Sequence, residues 1–214
     1  MKQARKSRGS GRPPASVATP LKADNRLRII GGRWRGRKLS FPDVAGLRPT
    51  GDRIRETLFN WLAPELPGAR CLDIFAGSGA LGIEALSRGA AVVTLLERDR
   101  AAAASLRSNL ALLASEAGKV VEADALAWLQ RGNPDEPFDI VFIDPPFAGG
   151  MWTGVLEALQ QGGWLAEQAS VYIESPADYS LVLPASWTLH RDKRAGSVAY
   201  RLYYLAAAGA ADGH

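Results

Sequence analysis

Two carboxylates about seventy residues apart frame the chemistry legible in this chain. Asp144 opens Asp144-Pro145-Pro146-Phe147, directly after the apolar run Phe138–Ile143. Asp73 opens Asp73-Ile74-Phe75-Ala76-Gly77-Ser78-Gly79. The exocyclic amine of a nucleobase is a poor nucleophile, because its lone pair is delocalised into the ring. A site can engage it without first removing a proton. It holds the N–H groups with acceptors and aligns the nitrogen with an electrophile. Asp144 offers a carboxylate for this and Pro145 a carbonyl. Consecutive prolines restrict φ and carry no N–H, so the loop is stiff and rich in acceptors. Phe147 can stack on a base turned out of its helix. The catalytic candidates are therefore Asp144, Pro145, Pro146 and Phe147.

The upstream element reads as a cofactor loop. Gly77-Ser78-Gly79-Ala80-Leu81-Gly82 fits G-x-G-x-x-G between a strand pattern and a helix pattern, and Glu97 ends the next strand pattern. Glycines let the backbone approach a ligand, and the carboxylate can accept from ribose hydroxyls. The loop alone does not separate a dinucleotide from S-adenosylmethionine. Asp73 does, because a carboxylate there suits ammonium and sulfonium charge and opposes a pyrophosphate. Asp124 and Ala125 end a third strand pattern, where a carboxylate can meet an adenine amine. The expected cofactor contacts are Asp73, Phe75, Gly77, Ser78, Gly79, Glu97, Asp124 and Ala125. Ligands in parallel sheets collect outside the carboxyl ends of the strands. Asp73, Glu97, Asp124 and Asp144 should therefore line one crevice.

The elements that must hold these residues alternate. Strands are expected over 70–74, 92–96, 119–123, 138–143 and 169–174. Helices are expected over 80–88, 99–115, 125–131 and 153–161, with Asp99 as an N-cap. Such a series implies a mostly parallel sheet covered on both faces. A closing hairpin over 187–193 and 197–205 adds an antiparallel edge. Before the series, residues 28–41 read as a small hairpin turning near Trp34-Arg35-Gly36. Residues 52–62 read as a helix stopped by Pro64.

The overall charge of +4 conceals an asymmetry. Residues 1–55 hold fifteen Lys and Arg against three acids, and the remainder eleven against nineteen. A basic entry segment on an acidic body suits a polyanionic partner. Arg33, Trp34, Arg35, Arg37 and Lys38 interleave cations with an aromatic, a pattern suited to phosphates and stacked bases. Arg48, Arg53 and Arg55 flank the start of the 52–62 helix, where N–H groups also favour anions. Cys71 is the sole cysteine, read as a buried strand thiol. No secretory leader or membrane span is evident, so the cytoplasm is expected. No metal site is evident either.

At this level the chain resembles a known family. The blocks 28–39, 46–50 and 53–62 are similar to the bacterial RsmD family, as are 73–82, Asp144-Pro145-Pro146-Phe147 and 193–203. The likeness covers about residues 27–205. The resemblance implies a Rossmann-like class I S-adenosylmethionine-dependent methyltransferase fold. Its sheet would be seven-stranded and mostly parallel, with an antiparallel edge hairpin and a small N-terminal hairpin and helix extension. It implies methyl transfer to the N2 amine of one guanine in 16S ribosomal RNA, within the assembled or assembling small subunit, by a monomer. Asp-Pro-Pro-Phe by itself also permits adenine or cytosine. A DNA amino-methyltransferase and a non-catalytic nucleic-acid binder of the same fold therefore stay open. The expected organisation is a disordered basic tail (1–25), an RNA-binding hairpin and helix (26–66), a catalytic domain (67–205) and a disordered tail (206–214).

Overall fold

The computed structural model describes residues 25–44 and 50–205. Residues 1–24, 45–49 (with Arg48) and 206–214, and so nearly all of the expected tails, lie outside the described residues. A two-stranded antiparallel sheet, β1 (Arg26–Arg28) and β2 (Lys38–Ser40), precedes helix α1 (Asp52–Trp61). The alternating series then runs β3 (Arg70–Asp73), α2 (Gly82–Ser87), β4 (Val92–Glu97), α3 (Arg100–Leu112), β5 (Gly118–Glu122) and α4 (Ala125–Leu129). It continues with β6 (Phe138–Ile143), α5 (Trp152–Gln161) and β7 (Leu165–Pro176), and closes with β8 (Trp187–Ala195) and β9 (Val198–Leu205). The large sheet has the order β5-β4-β3-β6-β7-β9-β8. Its first five strands are parallel, and β9 lies antiparallel between β7 and β8. The expected seven-stranded sheet with an antiparallel edge is thus present.

Strand parity explains how the acids converge. Cys71, Leu95, Ile140, Phe142, Tyr172 and Leu202 pack on one face with α1, α2 and the N-terminal hairpin. Leu72, Leu96, Val141, Ile173 and Trp152 pack on the other. Successive strand residues alternate faces. Asp73, Glu97, Asp144 and Glu174 all share the parity of the first set. The register pairs Asp73 with Leu95 and with Phe142, and Ile143 with Ile173. Glu97 and Asp144 therefore lie two residues beyond the level of Asp73, and Asp144 is level with Glu174.

The entry segment is fastened to the catalytic body. Leu27, Ile29, Trp34, Leu39 and Phe41 are buried in the same cluster as Leu81, Ile83 and Leu106. Ser87 Oγ donates to Gly31 O at 2.6 Å and accepts from Trp34 N at 3.1 Å. Asn109 Nδ2 donates to Ser40 O at 2.9 Å. At Gly32, where φ is +73°, an added Cβ would lie 1.8 Å from Ser87 O. Only glycine permits that approach of backbone to backbone. The hairpin strand begins two residues before its expected start, because Ile29–Trp34 is consumed by this docking turn. Leu58 and Phe59 of helix α1, and the Leu62 that caps it, are completely buried. Burying three such side chains contributes on the order of 5–9 kcal/mol before ordering entropy is counted.

Candidate active site

The carboxyl ends of the parallel strands open into a cavity of about 820 Å³, ample for a nucleoside-sized ligand. Asp73 sits at its floor, 3 % exposed, and Oδ2 accepts from Gly82 N at 2.9 Å. This bond couples the end of β3 to the start of α2. Burial pushes the Asp73 carboxyl up to about 7, with Asp144 and Glu97 adding to the rise. Glu97 spans two backbone segments, accepting from Gly77 N at 2.9 Å and Asp99 N at 2.7 Å. A carboxylate oxygen has two lone pairs, so each can still receive a ligand hydroxyl. Gly79 takes φ +82°, and an added Cβ there would meet Ile83 and Leu106 at 2.6 and 2.7 Å.

Of the expected cofactor contacts, Asp73, Phe75, Gly77, Ser78, Glu97, Asp124 and Ala125 line the cavity. Gly79 does not. It shapes the loop from behind, against α3. Asp124 lines the cavity while its side chain also caps α4, accepting from Ala127 N at 3.0 Å.

Asp144, Pro145, Pro146 and Phe147 line the other side of the same cavity. The Thr50 hydroxyl donates to Asp144 Oδ2 at 3.2 Å. Burial pushes the Asp144 carboxyl up to about 6, and the Thr50 bond works against the rise. Phe147 is 39 % exposed, with its ring centroid 5.9 Å from that of Trp152. An exposed aromatic at a cavity mouth is a ready stacking platform.

Two nucleic-acid candidates are corrected. Arg55 is 1 % exposed and so cannot meet a phosphate. It donates to Thr50 O, Arg28 O and Asp52 Oδ1 and lies 3.5 Å from Glu84. The helical spacing that exposes Arg53 turns Arg55 inward, onto the buried Glu84. Trp34 is 8 % exposed. It lies under the Arg33 guanidinium, 3.9 Å from the ring centroid, and is a core residue rather than a base-stacking one. Arg33, Arg35, Arg37, Lys38 and Arg53 are exposed. Arg37 also donates to Leu112 O at 3.0 Å.

Three contributors escaped the sequence reading. Thr50 lay in a recognised block but had no assigned role. Glu174 satisfies the same strand-end rule as the other acids, on the fifth parallel strand. The turn between β8 and β9 places Ala195–Val198 in the cavity wall, which no local signal announces. Among the described residues no cluster of His, Cys, Asp and Glu could hold a metal ion. No described helix is long and apolar enough to cross a membrane. Cys71 is buried and its thiol is pushed upward by desolvation, as suits a core residue.

The cavity's ionisable lining includes Asp73, Glu97, Asp99, Asp124, Asp144 and Glu174 against Arg98. That balance favours a cationic ligand over a pyrophosphate. The family model described as "Conserved hypothetical protein 95" matches residues 27–204. Ribosomal RNA small subunit methyltransferase D of Escherichia coli (strain K12) is 55% identical over 188 residues, 87% of this chain and 93% of that protein. The chain belongs to the RsmD family. The Haemophilus influenzae protein of the same name is 46% identical over 189 residues, 87% of this chain and 97% of its own length. The solved structure of the Escherichia coli protein yhhF superposes with a TM-score of 0.79 at 55% identity, covering 85% of this chain and 99% of that one. This RsmD-family chain is accordingly a methyltransferase, with the class I fold the resemblance implied.

Proposed function

We propose that this methyltransferase uses S-adenosylmethionine to methylate the N2 amine of a guanine in 16S ribosomal RNA. The substrate in this reading is the assembled or assembling small subunit, met in the cytoplasm by a monomer. The observation that carries it is one cavity with cofactor-type acids on one side and Asp144-Pro145-Pro146-Phe147 on the other. Family membership supports the ribosomal substrate.

The donor fits the chemistry of the lining, and when bound it supplies a methyl group made electrophilic by the sulfonium. Glu97 would take the ribose hydroxyls, Asp124 the adenine amine and Asp73 the cationic tail. Phe147 stacks on the extruded base. Asp144 and the Pro145 carbonyl hold the amine N–H groups and draw the nitrogen lone pair out of conjugation. The new N–C bond would form as the methyl's bond to sulfur breaks with its electron pair left on sulfur, and the nitrogen would become positive. In this reading Asp144 receives the released proton and passes it to solvent. Arg33, Arg35, Arg37, Lys38 and Arg53 contact phosphates and fix the approach of the RNA.

The test is incubation of undermethylated small subunits with the protein and labelled S-adenosylmethionine, followed by mass spectrometry of the nucleosides. N2-methylguanosine is the expected product. Label in N6-methyladenosine or in a cytosine, or transfer to DNA in place of ribosomal RNA, would overturn the reading.

A further inference from the structure

We propose that Glu174 is a second base-reading carboxyl, accepting the ring N1–H of the target guanine beside the amine held at Asp144. The inference rests on the guanine N2 reading above and adds the group that selects guanine. Four observations bear on it. Glu174 lines the same cavity as Asp144 and is nevertheless 4 % exposed. The register pairs Phe142 with Tyr172 and Ile143 with Ile173, which sets Asp144 and Glu174 level on adjacent parallel strands. Neighbouring strands are roughly 5 Å apart, so two carboxyls of the same parity stand side by side. Tyr172 Oη donates to Glu174 Oε1 at 2.8 Å, which holds the side chain from below and commits one oxygen. Finally, the Thr50 hydroxyl that donates to Asp144 also works against the rise at Glu174.

Guanine presents N1–H and the N2 amine as adjacent donors on one edge. Two acceptors side by side match that edge. Adenine and cytosine place a ring acceptor beside the amine, so the same pair would face acceptor against acceptor. Burial pushes Glu174 up to about 8 and Asp144 up to about 6. Asp144 adds to the rise at Glu174, so the pair resists carrying two charges and takes up a proton more readily than either acid alone. A neutral Glu174 can place that proton on the oxygen facing Tyr172 and donate it to Tyr172 Oη. An ionised Glu174 accepts from Tyr172 instead. In both states the oxygen toward the cavity is an acceptor. A site built to pair a substrate N–H penalises an analogue that lacks it, because its own buried acceptor is left unpaired.

The probe is 2-aminopurine, which keeps the N2 amine and lacks the N1–H. Small subunits are assembled with guanine or 2-aminopurine at the methylated position, and kcat/KM is measured on each. Wild type should prefer guanine by roughly 10- to 100-fold. Glu174→Ala should bring the two substrates within about threefold, chiefly by losing rate on guanine. Its S-adenosylmethionine affinity should be unchanged. Glu174→Gln should recover much of the preference, because its carbonyl can face the cavity while its amide donates to Tyr172. Equal rates on the two substrates in wild type would overturn the proposal without recourse to any variant. So would an unchanged preference in folded Glu174→Ala. Methyl found elsewhere than N2 on unsubstituted subunits would instead overturn the parent reading.

Discussion

Glu84 on α2 and Arg55 on α1 form a fully buried ion pair, with 3.5 Å between Arg55 Nη1 and Glu84 Oε2. The two residues hold three pieces of chain together. Glu84 accepts from Ile30 N at 2.9 Å and from Gly31 N at 2.7 Å, and Arg88 Nε donates to it at 2.7 Å. Arg55 donates to Arg28 O and Thr50 O. Entry hairpin, first helix and cofactor-loop helix thus meet at one carboxylate.

Removing Glu84 leaves the buried Arg55 with only the half-exposed Asp52 as a carboxylate partner and strips the Ile30 and Gly31 N–H groups of their acceptor. Glu84→Ala should cost about 3–5 kcal/mol. Urea unfolding at neutral pH would show this as a lowered midpoint. A midpoint within error of wild type would mean that the hairpin is held by its apolar contacts alone.

Asp144→Ala removes the acceptor at the reacting amine while leaving the cofactor acids in place. Turnover at saturating S-adenosylmethionine should fall on the order of 100-fold or more. Calorimetric titration should find cofactor affinity changed by less than about threefold, since Glu97, Asp73 and the loop are untouched. In wild type, the rate should decline as pH falls through about 6, because a protonated Asp144 loses its anionic acceptor. A rate independent of pH between 5 and 7 would argue against that role.

Asp73 shows the opposite balance of stability and function. Its folded carboxyl is raised to about 7 against a usual 3.8, so the folded state binds the proton more tightly than the unfolded chain. Such a group costs nothing below pH 4. Its penalty grows as pH rises through the window from 4 to 7. Asp73→Asn keeps an acceptor for Gly82 N and abolishes the titration. The variant should match wild type near pH 4 and exceed it in stability near pH 8, by up to ~4 kcal/mol. It should also lose S-adenosylmethionine affinity. Thermal melts across pH provide the comparison. A variant less stable than wild type at pH 8 would mean that the buried charge is compensated.

The exposed cations of the entry segment should separate from the buried one. Replacing Arg33, Arg35 and Arg37 with Ala should weaken binding to small subunits. It should also reduce the salt slope of log affinity by up to roughly 2–3. Cofactor affinity and the thermal midpoint should be close to unchanged. Arg55→Ala should instead lower the midpoint sharply. Filter binding over a salt series, run beside the melts, distinguishes the two classes. An unchanged salt slope in the triple variant would remove this face from the RNA contact.

The order of strands and helices was written in local pattern. Apolar runs of strand length end in acids, and glycine, proline and capping residues mark the breaks, as at Asp99 before α3. The placement of Asp73, Glu97 and Asp144 at one edge followed as well, because parallel strands deliver their carboxyl ends to the same side. What the pattern did not contain was the facing of side chains across long separations. Arg53 and Arg55 are equally basic and two positions apart, and only the docking of α1 onto Glu84 makes one a surface charge and the other a core residue. Trp34 looked like an aromatic among cations until the close approach at Gly32 folded it inward. Thr50 and Asp144 are 94 positions apart, and Glu174 became a neighbour of Asp144 through strand register. Local sequence records propensity and period. Which of two like residues is buried, and which distant acids come to stand side by side, is decided by packing and pairing that exist only once the chain is assembled.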